Sequence, residues 1–180
     1  MTRNKRQHTL IRNALKFAAK KHAGQVRKST DIPYLVHPVE VGLYLQNLGM
    51  SNICIQAGYL HDTLEDTDTT YDELVEEFGA DVANVVLELT EVSKKRALKK
   101  AENYSPDAVK VKTADLMCNV SDIYDDFDLM GSKVFERFAH GKSTLDHYKA
   151  MAELLHGKSE MMPVIQRELE RILTMLDSMM

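Results

Sequence analysis

Gly58-Tyr59-Leu60-His61-Asp62-Thr63-Leu64-Glu65-Asp66-Thr67 sets an imidazole and a carboxylate side by side at the end of an apolar run, with two more carboxylates close behind. Adjacent side chains on a helix point about a hundred degrees apart, so His61 and Asp62 converge only on something placed between them. A metal ion is the natural occupant. One neutral imidazole and one carboxylate make a mixed nitrogen and oxygen donor set, which suits manganese, iron or zinc better than calcium or magnesium. In a continuing helix Glu65 shares a face with His61, and Asp66 with Asp62, one turn beyond the donors. The competing reading makes Glu65, Asp66 and Asp68 a solvated acidic helix end.

The helix that delivers His61-Asp62 is capped by Ser51 and carries Ile53, Cys54, Ala57, Tyr59 and Leu60, apolar nearly all round, so it belongs at the centre of the fold. Upstream, Leu10, Ile11, Ala14, Leu15 and Ala18 fall at helical spacing in an amphipathic helix over residues 9–22, ended by Gly24. A polar, basic loop over residues 24–33 follows. Tyr34-Leu35-Val36 reads as extended, and His37-Pro38 opens a helix with proline in the first position. That helix carries Val41, Tyr44, Leu45 and Leu48 to Gly49, a left-handed terminator.

Downstream, Thr70 and Glu73 make a capping box for a short helix closing at Gly79, and residues 81–89 form another helical run. Residues 93–104 are highly charged and read as a solvated helix or a loop. Ser105-Pro106-Asp107 combines a cap with a proline at the helix start. In the helix it opens, Asp115, Asn119 and Asp122 lie on one stripe among Val109, Ala114, Leu116, Met117 and Val120. A polar stripe on so apolar a helix requires partners, because an unpaired buried carboxylate is expensive. Two further helices follow, over residues 132–156 with a break near Gly141, and over residues 159–176. No alternating strand pattern and no glycine-rich phosphate loop appears, so the expectation is an all-α chain forming a single domain over residues 1–180.

Lys and Arg number 23 against 27 Asp and Glu, a formal charge of -4, which gives no support to a grip on a nucleic-acid polymer. Any phosphate handled here belongs to a small molecule. Cys54 and Cys118 sit apart in apolar segments, the pattern of reduced core thiols in a cytoplasmic protein. The basic first residues lack the apolar core of a secretory signal, and no apolar run is long enough to cross a bilayer. His8, His22, His140, His147 and His156 read as surface or helix-end histidines, and Asp125, Asp126 and Asp128 as a solvated loop. Met161, Met162, Met175, Met179 and Met180 read as core filler or a packing face, which allows a homodimer.

Three stretches together are more specific: Arg27-Lys28-Ser29 through Pro33-Tyr34-Leu35-Val36-His37-Pro38, then His61-Asp62-Thr63-Leu64-Glu65-Asp66-Thr67, then Lys112-Thr113-Ala114-Asp115 with Asn119. His37, His61-Asp62 and Asp115, in that order, resemble the metal set of the HD-domain phosphohydrolases. Within that superfamily the three stretches resemble the hydrolase domain of the RelA/SpoT family, above all its stand-alone small alarmone hydrolases, from about Phe17 to Ile123. The resemblance implies that His37, His61, Asp62 and Asp115 bind one metal ion, Mn2+ in the family, with Fe2+, Zn2+ or Mg2+ as alternatives. It implies that Glu65 and Asp66 position and deprotonate the attacking water. Arg27 then packs on the purine, Lys28 lies near the phosphates and Asn119 contacts the nucleoside. The implied reaction removes pyrophosphate from the 3′ position of guanosine tetra- or pentaphosphate, (p)ppGpp, leaving GDP or GTP.

Leu116 and Ser121 stand where that family usually carries basic residues. They leave open a metal-dependent hydrolase of another phosphorylated nucleotide, such as a nucleoside monophosphate or the 2′-phosphate of NADPH. A non-catalytic metal- or nucleotide-binding module is the third reading. The intact Glu65-Asp66 pair weighs against it.

Overall fold

The computed structural model describes residues 3–28, 30–90, 94–137, 143–158 and 163–179. In chain order these form α1 (Arg3–Lys21), α2 (Val36–Asn47), α3 (Asn52–Leu60), α4 (Thr63–Asp66), α5 (Tyr71–Phe78), α6 (Ala80–Leu89), α7 (Lys94–Ala101), α8 (Pro106–Met130), a 3-10 segment (Gly131–Arg137), α9 (Ser143–His156) and α10 (Pro163–Ser178). The chain is all-α. Among the described residues the only β contact is an isolated bridge between Val26 and Pro33, which closes the loop between α1 and α2. No helix among them is long and apolar enough to cross a membrane.

The central element is α3. Ser51 caps it, its hydroxyl accepting from the Cys54 amide at 3.2 Å, and every residue from Cys54 to Leu60 is buried. It packs against α1, α2, α6 and α8, as its nearly all-round apolar character requires, and its one buried polar residue, Gln56, donates to Asn52 O at 3.0 Å. One buried cluster reaches from Ala14 on α1 to Leu176 on α10. Both thiols are free and buried. Burial pushes Cys54 up to about 11 and Cys118 up to about 12, so neither is a thiolate at neutral pH.

The α2–α3 contact is unusually close because glycines face it from both sides. A β-carbon on Gly42 would stand 2.5 Å from the Tyr59 ring, and one on Gly58 2.6 Å from Leu45 Cδ1. Gly49, at φ 68, then turns the chain from α2 towards α3.

Several local expectations need correction. Tyr34 and Leu35 form a turn rather than an extended segment, because the Val36 amide donates to Pro33 O and the His37 amide to Tyr34 O, each at 3.1 Å. As α2 begins at Val36, Pro38 is its third residue and not its first. It still lies in the opening turn, where its missing N–H leaves no helical bond unmade. The first helix begins at Arg3, well before residue 9. Of the two readings of residues 93–104 the helix holds over 94–101, where Lys100 donates to Leu87 O and Thr90 O, both at 2.7 Å. Residues 131–137 are 3-10 rather than α-helical. The break expected near Gly141 and the helix start near Ser159 lie outside the described residues.

The glycine contact sets how near α2 comes to α3, and both helices lead into the site. Gly42→Ala should therefore lower stability by about 1–3 kcal/mol, since Tyr59 is only 3 % exposed and cannot swing away. Thermal unfolding of the variant checks this; a melting temperature equal to the parent's would mean that the interface yields freely.

Candidate metal centre and substrate clefts

Three segments bring the predicted ligands together. His37 comes from the first turn of α2, His61 and Asp62 follow α3, and Asp115 lies on α8. One donor atom from each of His37, His61 and Asp115 lies within 4.8 Å of the others, and all three residues are buried. His37 Nε2 is 3.0 Å from Asp115 Oδ1. Asp62 closes the ring, with Oδ1 3.1 Å from His61 Nε2 and Oδ2 3.8 Å from His37 Nε2.

The helix does not continue through the motif. It ends at Leu60, with Asp62 at φ -91 and ψ -4, and a single turn resumes at Thr63. Hydrogen bonding nevertheless bridges the break, because the Asp66 amide donates to Asp62 O at 2.8 Å. Asp62 and Asp66 therefore remain on one side, as a continuing helix would have placed them. Glu65 lines the same cleft.

Whether these residues suit a metal ion can be tested on His61. Its Nδ1 stands 2.9 Å from Gly58 O, and a carbonyl can only accept, so Nδ1 carries the hydrogen. Nε2 is buried without a hydrogen-bond partner although two carboxylates stand near it. In the neutral ring that atom offers a lone pair towards Asp62 and Asp115, the arrangement that a metal-binding histidine needs. The residues fit a divalent cation.

The electrostatics of the centre agree. Burial opposes charge on His61, but Asp62 and Asp115 outweigh it and raise the imidazole well above its ordinary value. Burial likewise opposes charge on Asp62, yet His61 and then His37 hold it below the usual carboxylate range. For Asp115 the opposing groups are Lys112, whose Nζ is 3.0 Å from Oδ2, and the two histidines.

Around the centre lie two clefts that share Arg27, Tyr34 and Asn119. The inner cleft, about 210 Å³, exposes the four candidate ligands with Glu65, Asp66 and Lys112. The outer cleft, about 260 Å³, is walled by Ile32, Val36 and Val134 and edged by Glu40 and Asp122. Arg27 bridges them, bonding to Asp122 and donating to Asn119 Oδ1 at 3.3 Å. Asn119 in turn donates to Asp115 Oδ1 at 2.7 Å. The polar stripe on α8 thus finds its partners in Arg27 and the metal centre. Lys28 is exposed and lines the outer cleft, and the lysine beside the buried carboxylates is Lys112.

Sequence reasoning missed Tyr34. Its hydroxyl lies 2.7 Å from Asp62 Oδ2 and 2.9 Å from Asp66 Oδ2, and burial together with those two carboxylates pushes the phenol far above its ordinary value. His22 is buried beneath Tyr34, with ring centroids 5.0 Å apart, rather than at the surface. His147 and Tyr148 on α9 face the inner cleft. The available signal was the Tyr-Leu-Val-His order, which places Tyr34 one helical turn before a ligand. His140 lies outside the described residues.

All-helical folding around a His/His-Asp/Asp cluster defines a class, and comparison agrees: residues 14–123 match the HD domain model. The chain belongs to the HD-domain family. Among curated relatives it is 42% identical over 120 residues to the human protein named guanosine-3′,5′-bis(diphosphate) 3′-pyrophosphohydrolase MESH1, a match covering 61% of this chain and 67% of that protein. It is 37% identical over 155 residues to the Aquifex aeolicus protein of the same activity name, covering 81% of this chain but only 21% of that one. This chain thus spans about a fifth of the longer relative. A solved structure described as a metazoan ortholog of SpoT that hydrolyzes ppGpp superposes with a TM-score of 0.74 at 26% identity, covering 90% of this chain and 94% of that one.

Asp62 and Asp115 favour the protonated form of His61, so a cation competes with a proton for that ring. Mn2+ affinity should therefore fall as the pH is lowered, and calorimetric titrations across a pH series measure it. Asp115→Ala should weaken binding by about a hundredfold or more. Affinity independent of pH, or full metal retention in the variant, contradicts this ligand set.

Proposed function

We propose that this chain is a divalent-metal-dependent 3′-pyrophosphohydrolase of (p)ppGpp, releasing pyrophosphate and leaving GDP or GTP. The observation that carries this reading is the buried His/Asp cluster at the floor of a cleft that opens, past Arg27 and Asn119, into a second one. Such a pair of clefts suits a substrate with its reacting phosphate at the ion and its base held apart. The names of the curated relatives support the same substrate.

His37, His61, Asp62 and Asp115 would hold the ion, for which Mn2+ is our choice given the mixed donor set. When bound, such an ion polarises a phosphoryl oxygen and makes water more acidic. Glu65 and Asp66 take the proton from the attacking water as it adds to the phosphorus joined to the ribose 3′ oxygen. The bond from that oxygen to phosphorus breaks, the oxygen takes up the proton held by the carboxylate pair, and pyrophosphate leaves. Tyr34 fixes the Asp66 carboxylate against Asp62 while this happens. Lys112 offsets negative charge at the centre, and Arg27 supplies a planar cation on which a purine stacks. Asn119 meets the nucleoside, and Lys28 attracts phosphate at the mouth.

We place the whole of residues 1–180 in one such domain, since the helices share a single buried cluster. A cytoplasmic setting suits its two free thiols.

Incubating the Mn2+-loaded protein with guanosine 3′,5′-bis(diphosphate) should yield GDP and pyrophosphate. Glu65→Gln and Asp66→Asn should each lower kcat by about a hundredfold with metal retained. Arg27→Ala should act mainly through KM, as expected for a contact made equally in ground and transition states. Release of orthophosphate alone, or inertness towards 3′-pyrophosphorylated nucleotides, would sink the proposal.

A further inference from the structure

With the reacting phosphate at the metal centre, the far end of the substrate lies in the outer cleft, whose chemistry differs from the inner one. Its walls at Ile32 and Val36 are apolar and 49% and 40% exposed, a surface suited to the faces of a flat ring. Its edge carries the carboxylates of Glu40 on α2 and of Asp122, Asp125 and Asp126 on α8, with Arg27 and Lys28 as the cations of the same cleft. Burial, and then the charge of Asp122, raises the Glu40 carboxyl above its usual range, so the two groups feel one another across the cleft. The carboxylates of that edge repel phosphate, which is left to Lys28. They accept hydrogen bonds, since an ionised carboxylate has no hydrogen to give.

Asp122 is bonded to Arg27, and its side chain remains 40% accessible. It stands one turn beyond Asn119, which itself bonds Asp115, so the metal centre, Asn119 and Asp122 form a graded row along α8. When Arg27 turns its plane onto a base, the bond to Asp122 opens and the carboxylate needs new donors. Guanine offers two together, its ring N1–H and its exocyclic amino group. Adenine presents a lone pair at the ring position instead, directed at a negative charge.

We propose that Asp122 is the specificity-determining residue of the outer cleft, exchanging Arg27 for the paired N–H donors of guanine and thereby selecting guanosine over adenosine substrates. The inference rests on the hydrolase reading for the orientation of the substrate. A carboxylate accepting two N–H bonds from a neutral ring is a charge-assisted, bidentate contact. Hydrogen bonds to charged groups of this kind correspond to roughly ten- to a hundredfold in affinity.

The test compares the guanosine, inosine and adenosine 3′,5′-bis(diphosphates) on the Mn2+-loaded full chain and on Asp122→Ala. For the parent, kcat/KM should follow guanosine, inosine, adenosine in falling order, because inosine keeps N1–H but lacks the amino group. In Asp122→Ala the guanosine value should drop roughly ten- to a hundredfold and the adenosine value far less, so the preference collapses. Turnover of the adenosine substrate by the same preparation shows that the variant is folded. Equal losses on all three nucleotides would make Asp122 merely an anchor for Arg27 and overturn the assignment, as would a parent that ignores the base. Calorimetric binding of the same nucleotides separates the two readings. A guanosine preference in binding that disappears in Asp122→Ala, without turnover by either protein, refutes the hydrolase and keeps the base reader.

Discussion

Two carboxylates, Asp115 buried and Asp62 partly buried, stand beside two buried imidazoles at the edge of a helical core, and the groups around them make that tolerable. Buried carboxylates are costly unless positive charge and hydrogen-bond donors stand close by. Here Lys112 stands 3.0 Å from Asp115, the two imidazoles lie against both carboxylates, and Tyr34 and Asn119 supply donors. The candidate ligands arrive from three separate segments, so the cluster forms only when α2, α3 and α8 are packed. Chemistry and folding are thereby tied to one contact region.

The charge is also divided between the two clefts. Near the metal centre Lys112 and Arg27 moderate a strongly acidic cluster, while at the other end Glu40 and Asp122 leave an acidic rim. Arg27 sits at the division and contacts α8 on its outward side. One guanidinium therefore links the two ends of a bipartite site on a chain whose net charge is -4.

Much of this was legible in the sequence because the relevant signals are local. The Ser51, Thr70 and Ser105 caps, the Gly49 terminator and the run of residues 53–60, apolar but for Gln56, each report on a backbone neighbourhood of a few residues. The His61-Asp62 pair and the Asp115-Asn119-Asp122 stripe are likewise local patterns, and their convergence followed from the order of three motifs. What escaped is set by tertiary packing. Tyr34 and Leu35 have residue types common in strands, but the turn hydrogen bonds that begin α2 overrode that preference. His22 has no sequence feature that distinguishes it from an exposed helix-end histidine. Only the fold lays the Tyr34 ring over it. His147 comes from far along the chain, on a helix whose approach to the inner cleft depends on how α9 settles against α7 and α8.

The Tyr34 hydroxyl has a consequence in simple hydrogen arithmetic. A phenol has one hydrogen to give, yet two carboxylate oxygens stand within reach of it. While both carboxylates are ionised, only one can receive that hydrogen fully and the other faces an oxygen lone pair. Once Asp66 has gained a proton of its own, it can donate to the phenol oxygen while the phenol donates to Asp62, and all three groups are satisfied together. The triad is therefore short of one hydrogen at rest, a deficit that, under the proposed reaction, the proton of the attacking water fills.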